Sequence, residues 1–400
     1  MSREDIETLK NNALTESAAT FTKWPAMRLG TVRSRKFAPF DPHSGYEVDT
    51  AGEVLENGDV VFRFYAPKAE TVTVGLGKYN RRVEIELKKR EDGVFEGTFP
   101  QDPSFYGFQE VQFYIDGNEA LNPHMGVVAG LHRLFNYMEL PDPGVPFVLL
   151  RDDVPHGSIN REVYYSKAVG AWQRCLVYTP PGYQEGGSYP VVYLQDGANG
   201  SELTWMYSRK VPYILDNLIA EGKCVPMIAV SSDPMIQKDY EQDAVDNFDG
   251  TDQNFQESLI PFIDGRYHTI PDKWHRAIAG FSLGSMQASY MSLVHPELFG
   301  NAGILSGYLR RRDTHPRHED NPYLAQMTEA FMQENYRVFY RCMGDQDGNF
   351  PEFLEDDAYV HDLGGDRASC YIRKVYENRI HDINCGRREF YDFAQMLFSN

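Results

Sequence analysis

The stretch "RAIAGFSLGSMQASYMSLVHPELFG", Arg276 to Gly300, constrains this chain more than any other. Small apolar residues with strand character run into Gly-Phe-Ser-Leu-Gly and pass without a loop signal into a helical apolar pattern. A strand that becomes a helix within five residues has no room for bulk two positions before or after its apex. Gly280 and Gly284 meet that need around Ser282. Such a turn holds a serine hydroxyl exposed and aims the first amides of the helix at whatever the hydroxyl attacks. A hydroxyl is a poor nucleophile until it has a base beside it and donors for the oxyanion its attack creates. Ser282 is therefore the candidate nucleophile, and the N–H of Leu283 one candidate oxyanion donor. The pentapeptide alone recurs by accident in about one chain in ten of this length. The strand before it and the helix after it give it weight.

A serine on such a turn expects an acid after a later strand and a histidine near the end of the chain. "YRVFYRCMGDQDGNF" is a strand closing at Gly344, followed by Asp345 and Asp347, either of which can orient an imidazole. "YENRIHDINCGRREFYDFAQMLF" then places His381 between the last strand and the last helix. Of the other histidines after the serine, His295 lies on its own helix, His315 and His318 precede the acid, and His361 follows the acid closely. His381 is the candidate base. A second oxyanion donor is expected after an early strand, and "YPVVYLQDGANGSELTW" offers the amides near Gly197 and Ala198. Trp205 is placed as an aromatic wall for the acyl group, with plain core packing as the alternative. Arg310 opens three consecutive arginines after "LSGYL"; it is placed at the sheet edge to meet a carboxylate or a sugar hydroxyl, with a surface ion pair as the alternative. His315, His318 and Asp320 read as a solvated charged loop rather than a metal site, and neither metal nor organic cofactor is expected.

Four hundred residues with 42% hydrophobic content predict one large domain and a smaller companion. A formal charge of -19 argues against nucleic-acid or anionic-membrane surfaces, since phosphate neutralisation needs clustered Lys and Arg. Five scattered cysteines without a Cys-x-x-Cys pair fit reduced thiols. The opening "MSREDIETLKNNALTESAAT" has no apolar run, and no stretch approaches the ~18 apolar residues of a membrane span. The expectation is a cytoplasmic protein, or a secreted one whose leader has been removed.

Residues 1–30 read as a helical extension, with a helix over Arg3 to Ala19. Residues 31–145 read as antiparallel β structure: "DVVFRFYAPKAETVTVGL", "RRVEIELKK", "EDGVFEGTF" and "EVQFYIDGN" supply short strands, with turns at Asp92-Gly93 and Asp116-Gly117. From residue 146 the rhythm changes to strands alternating with helices. The strands are read at Gln173–Tyr178, Val191–Gln195, Met227–Ser231, Arg276–Gly280, Ala302–Leu305, Val338–Met343 and Ser369–Tyr376. Helical patterns lie around Val211–Glu221, Phe255–Arg266, Ser285–Val294, Tyr323–Gln333 and Arg387–Phe398. This alternation predicts a mostly parallel sheet covered on both faces.

Over residues 150 to 400, "CLVYTPPGYQEGGSYPVVYLQDG", "VPYILDNLIAEGKCVPMIAV", "AGFSLGSMQ" and "IHDINCGRREFYDFAQMLF" occur in an order that resembles one esterase group. That group includes the feruloyl and acetyl-xylan esterases of the first carbohydrate esterase family and the enterochelin esterases. "GDVVFRFYAPKAETVTV" and "VQFYIDGNEALNPH" resemble the glycogen-binding-like sandwich that often precedes such esterases. The resemblance implies an α/β-hydrolase fold after a small β-sandwich, with Ser282, Asp347 and His381 as the triad. Two positions depart from it: Ser285 stands where a second glycine is common, and Asp196-Gly197 stands where His-Gly is common. The implied activity is hydrolysis of acyl esters on plant cell-wall oligosaccharides, foremost feruloyl esters. Acetyl-xylan and a siderophore trilactone are the alternative substrates, and a non-catalytic sugar binder on a hydrolase shell is the alternative class. The implied partner is a small-molecule or oligosaccharide ester. The sandwich either binds sugar or supports folding or a homodimer.

Overall fold

A computed structural model describes residues 52–399, apart from 79–80, 130–133, 199, 235, 237–247, 310–317 and 319–320. The expected helix Arg3–Ala19, the arginine run from Arg310, and His315 and Asp320 lie outside the described residues. The chain divides into two compact units, Met1–Gly144 and Val145–Asn400.

In the first unit nine strands are described: β1 (Gly52–Val54), β2 (Val60–Tyr65), β3 (Val72–Leu76), β4 (Val83–Lys89), β5 (Val94–Phe99), β6 (Gly107–Ile115), β7 (Asn118–Ala120), β8 (Gly126–Ala129) and β9 (Leu134–Leu140). They pair in the order β1-β2-β5-β4-β3-β6-β9-β8, with β7 on β6, and every pairing is antiparallel. β4 lies along the whole of β3 but meets β5 only at Lys88 and Lys89, so the sheet folds over at this strand. Phe62 and Phe64 of β2 consequently face Phe113 of β6, with ring centroids 6.4 and 5.1 Å apart, although the two strands are not neighbours in the sheet. Burial of these rings between two faces gives a sandwich-like core. Asp116 and Gly117 both take positive φ, 48° and 79°, as a two-residue hairpin turn demands between β6 and β7.

The second unit carries β10 (Ser158–Ser166), β11 (Ala171–Thr179), β12 (Val191–Gln195), β13 (Ile228–Ser232), β14 (Arg276–Phe281), β15 (Asn301–Leu305), β16 (Val338–Gly344) and β17 (Tyr371–Tyr376). Their order is β10-β11-β13-β12-β14-β15-β16-β17, antiparallel at β10/β11 and β11/β13 and parallel elsewhere. The helices are α1 (Val211–Ala220), α2 (Phe248–Asn254), α3 (Ile260–Arg266), α4 (Leu283–Val294), α5 (Glu329–Asn335), α6 (Phe350–Leu363) and α7 (Ile383–Met396). Along β12, Val191 and Tyr193 enter one core with residues of α3 and α4, while Val192 and Leu194 enter the other with residues of α1 and α7. Strands apolar on both faces are what a sheet covered on both sides requires.

Several elements differ from the sequence reading, among them α2, which lies just before the helix expected from Phe255. β10 was not anticipated, because "SINREVYYS" is polar; it is the edge strand and buries little beyond Tyr164 and Ser166. α6 was not anticipated either, since its acidic sequence hides a buried face of Phe353, Asp356 and Val360. The helix expected over Tyr323–Gln333 is two pieces, because Thr328 caps a fresh start at α5 by accepting from the N–H of Phe331. α7 begins at Ile383 rather than Arg387, capped by Asp382, which accepts from the N–H of Cys385 at 2.7 Å.

Candidate active site

Chain order reverses at β12: the next strand, β13, lies on one side of it and β14 on the other. In open α/β sheets the crevice beyond the carboxyl ends of such strands is where ligands bind. The loop after β12 and the turn after β14 both open into it, with Gln195 registered against Gly280.

Ser282 sits in that turn at φ 57°, ψ -120°, half-buried, as the residue before α4. A side chain held in this region is strained and persists only where its surroundings fix it. They do so here. A Cβ on Gly280 would lie 1.9 Å from the carbonyl oxygen of Gly284, and one on Gly284 would lie 2.3 Å from that of Gln195. The Ser282 N–H donates to Leu305 O at 3.1 Å, and both the N–H and the hydroxyl of Ser285 donate to Ser282 O, at 2.9 and 2.5 Å. Ser285, standing where a glycine is common, thus adds a tie to the turn. Leu283 opens α4, and its N–H belongs to the first-turn donors that a helix cannot satisfy internally.

The loop after β12 runs against the serine. A Cβ on Gly197 would come within 3.1 Å of Ser282 Cβ and 3.6 Å of its Oγ. Ala198 follows, half-buried, and the Gly200 N–H donates to Gly197 O at 2.9 Å, closing the turn. These positions suit amide donors to an oxyanion on the carbon that Oγ attacks.

His381 lies between β17 and α7, its ring centroid 4.7 Å from that of Phe281, the residue before the serine. Its Nδ1 meets Oδ2 of Asp347 at 2.6 Å; the Asp347 side chain is fully buried, and its Oδ1 accepts from the N–H of Asn349 at 2.9 Å. An ionised carboxylate only accepts, so Nδ1 carries the proton and Nε2 is left basic. Asp345 takes no part in this contact: its N–H donates to Tyr376 O at 3.1 Å, holding that residue against the neighbouring strand. The two loops approach because Gly344 has no side chain; a Cβ there would stand 2.2 Å from Arg379 O.

Trp205 is not at the crevice. It is fully buried in the core between α1 and α7, its ring 5.9 Å from that of Phe390, so its placement as an acyl wall is corrected to core packing. Arg310 lies outside the described residues. His318, read as part of a solvated loop, is instead mostly buried: it is held by the fully buried Asp356 at 2.7 Å and stacks on Tyr359 at 4.4 Å, because a carboxylate that deep needs a partner. Among the described residues no group of three or more His, Cys, Asp or Glu side chains is arranged to hold a metal. All five cysteines are free.

Two residues at the site went unrecognised in sequence. Arg209 forms a buried ion pair with Asp196 at 2.9 Å. Glu389 of α7 is fully buried and accepts from the hydroxyl of Ser306, just past β15, at 2.8 Å; burial pushes its carboxyl up to about 8. Neither has a spacing signal, since their partners come from other loops.

Comparison with known proteins agrees with this geometry. Residues 166–364 match the family described as "Putative esterase", and residues 45–126 match carbohydrate-binding module 48, the isoamylase N-terminal domain. An endo-1,4-beta-xylanase/feruloyl esterase of Xylanibacter ruminicola is 36% identical over 267 residues, which cover 64% of this chain and 36% of that protein; the chain thus spans about a third of that relative's length. An alignment of that extent is longer than the first unit and therefore reaches into the second. A ferulic acid esterase from Anaeromyces mucronatus superposes with a TM-score of 0.54 at 22% identity, covering 64% of this chain and 96% of its own. An enterobactin esterase from Shigella flexneri superposes with a TM-score of 0.60 at 17% identity, covering 85% and 94%. The elbow, the strand order and the matched residues of the second unit are in accord with the "Putative esterase" family model.

Proposed function

We propose that this chain is a serine carboxylesterase whose substrates are hydroxycinnamoyl, foremost feruloyl, esters of plant cell-wall oligosaccharides. The observation that carries the reading is Ser282 on a strained turn beyond β14, whose preceding residue Phe281 lies against a histidine already paired with a buried aspartate. Ser282 Oγ attacks the ester carbonyl as His381 Nε2 takes its proton, and the carbonyl oxygen becomes an oxyanion received by the amides of Leu283 and the Gly197–Ala198 loop. His381 returns the proton to the departing alcohol, leaving an acyl-serine. Water then attacks with His381 as base, and release of the acid restores the hydroxyl. The substrate class is supported by the feruloyl esterase relative, whose similarity reaches into the esterase unit, and by the sugar-binding family to which the first unit is similar. The acidic balance of the chain weighs against an anionic siderophore trilactone. The compartment we propose is the cytoplasm, in keeping with five unpaired cysteines.

The test is a hydrolysis panel of methyl ferulate, acetylated xylo-oligosaccharides and a catecholate trilactone, with fluorophosphonate labelling alongside. Methyl ferulate is expected to turn over, and Ser282→Ala to lose both turnover and label. Cleavage of the trilactone alone would overturn the substrate class. An unlabelled wild type would make the chain a non-catalytic binder.

A further inference from the structure

Asp196 stands immediately before the loop residues assigned to the oxyanion, and its side chain is only 4% exposed. A carboxylate at that depth must be compensated. Arg209, 2% exposed, directs Nη2 and Nε to one oxygen, Oδ1, at 2.9 and 3.3 Å. The other oxygen lies over Gly200, where a Cβ would come within 2.1 Å of Oδ2. The guanidinium is itself wedged: its carbon sits 3.8 Å from the ring centre of Phe281 and 4.8 Å from that of Trp205. Nη1 has no hydrogen-bond partner and lies against α7, where a Cβ on Gly386 would come within 1.8 Å of it. One side chain therefore touches the carboxylate that anchors the oxyanion loop, the residue before the nucleophile and the helix after the base.

Buried ion pairs contribute little net stability compared with apolar side chains of the same size, so stability alone does not account for this one. What it supplies is a link from α7 to the ends of β12 and β14, which are neighbours in the sheet up to Gln195 and Gly280, so that the loop, the turn and the helix are held at fixed distances where the ladder stops. We propose that Arg209, acting through Asp196, is a positioning residue that sets the oxyanion loop against Ser282; this rests on the esterase reading above. The pair is tuned to the transition state, where the oxyanion forms, so its loss falls on kcat rather than on KM.

The experiment compares wild type, Asp196→Asn, Arg209→Met and the double variant on 4-nitrophenyl acetate, with Tm and fluorophosphonate labelling for each. Each single variant is expected to lower kcat by about 10- to 100-fold with KM within about twofold, and to melt earlier, because one buried group has lost its partner. The double variant is expected to recover most of the Tm while kcat stays at least about tenfold down. Should a single variant fail to fold, the double variant carries the test. Recovery of kcat together with Tm, or losses confined to KM, would overturn the proposal and make the pair scaffolding. A wild type that neither turns over the ester nor takes the label would bring down the esterase reading itself, and the positioning role with it.

Discussion

Asp345 and Asp347 leave β16 two residues apart, and sequence order allows either to face His381. The backbone decides between them. Asp345 is still bonded to Tyr376 as the chain quits the sheet, whereas Asp347 has turned by a Gly344 O contact and carries its carboxylate inward to Nδ1. Asp347→Asn should lower kcat on 4-nitrophenyl acetate by about 10⁴, because an amide that donates to Nδ1 fixes the wrong tautomer, with KM little changed. Asp345→Asn should stay within about threefold of wild type, a scatter ordinary for a residue outside the reacting group. Steady-state kinetics on the two variants reads the difference; the reverse ranking would reassign the acid. Arg209 marks the limit of reading residues one by one, because a buried cation thirteen positions from its carboxylate leaves no periodic trace.

At the scale of elements, the turn from β14 into α4 is legible because it is local: five residues must be compact, and two glycines make them so. Its depth of packing is not legible. Gly284 faces outward from α4 onto the carbonyls of Gln195 and Asp196, so the helix start and the oxyanion loop are in contact through a missing side chain. Gly284→Ala should push that loop away, with kcat expected to fall by at least about 100-fold and stability by about 1–3 kcal/mol, measured by turnover and urea unfolding. A variant with normal kcat would show that the loop can give without loss. The same locality explains which elements were found. β12, β14 and β16 are apolar on both faces and announce themselves, while β10 is a polar edge strand and α6 an acidic helix whose buried Asp356 makes sense only beside His318, Arg341 and the N–H of Leu309. No period in the sequence reports a partner that far away.

The whole molecule holds one more consequence in Glu389. Its carboxyl, ordinarily near 4.5, is lifted to about 8 chiefly by burial in the second unit's core. Between those two values the unfolded chain has released this proton and the folded chain has kept it, so the unfolded state binds fewer protons and stability falls as pH rises through the window. Glu389→Gln should remove that component: relative to wild type it should gain on the order of a few kcal/mol between pH 5 and pH 8, read from urea unfolding at both. Parallel curves for the two proteins would place an ionised carboxylate in the core instead. Across the chain, sequence alone determined the division into a β unit and an alternating β/α unit, the turn that carries Ser282, and the succession of serine, aspartate and histidine along the strands, because each depends on near neighbours or on the order of strands. Tertiary structure alone decided which aspartate meets the histidine, that Trp205 is core and that Arg209 pairs with Asp196 in the loop after β12. These depend on which carbonyls, rings and missing Cβ atoms come together when separate strands end at one edge of a sheet, and a one-dimensional pattern carries no distance between such points.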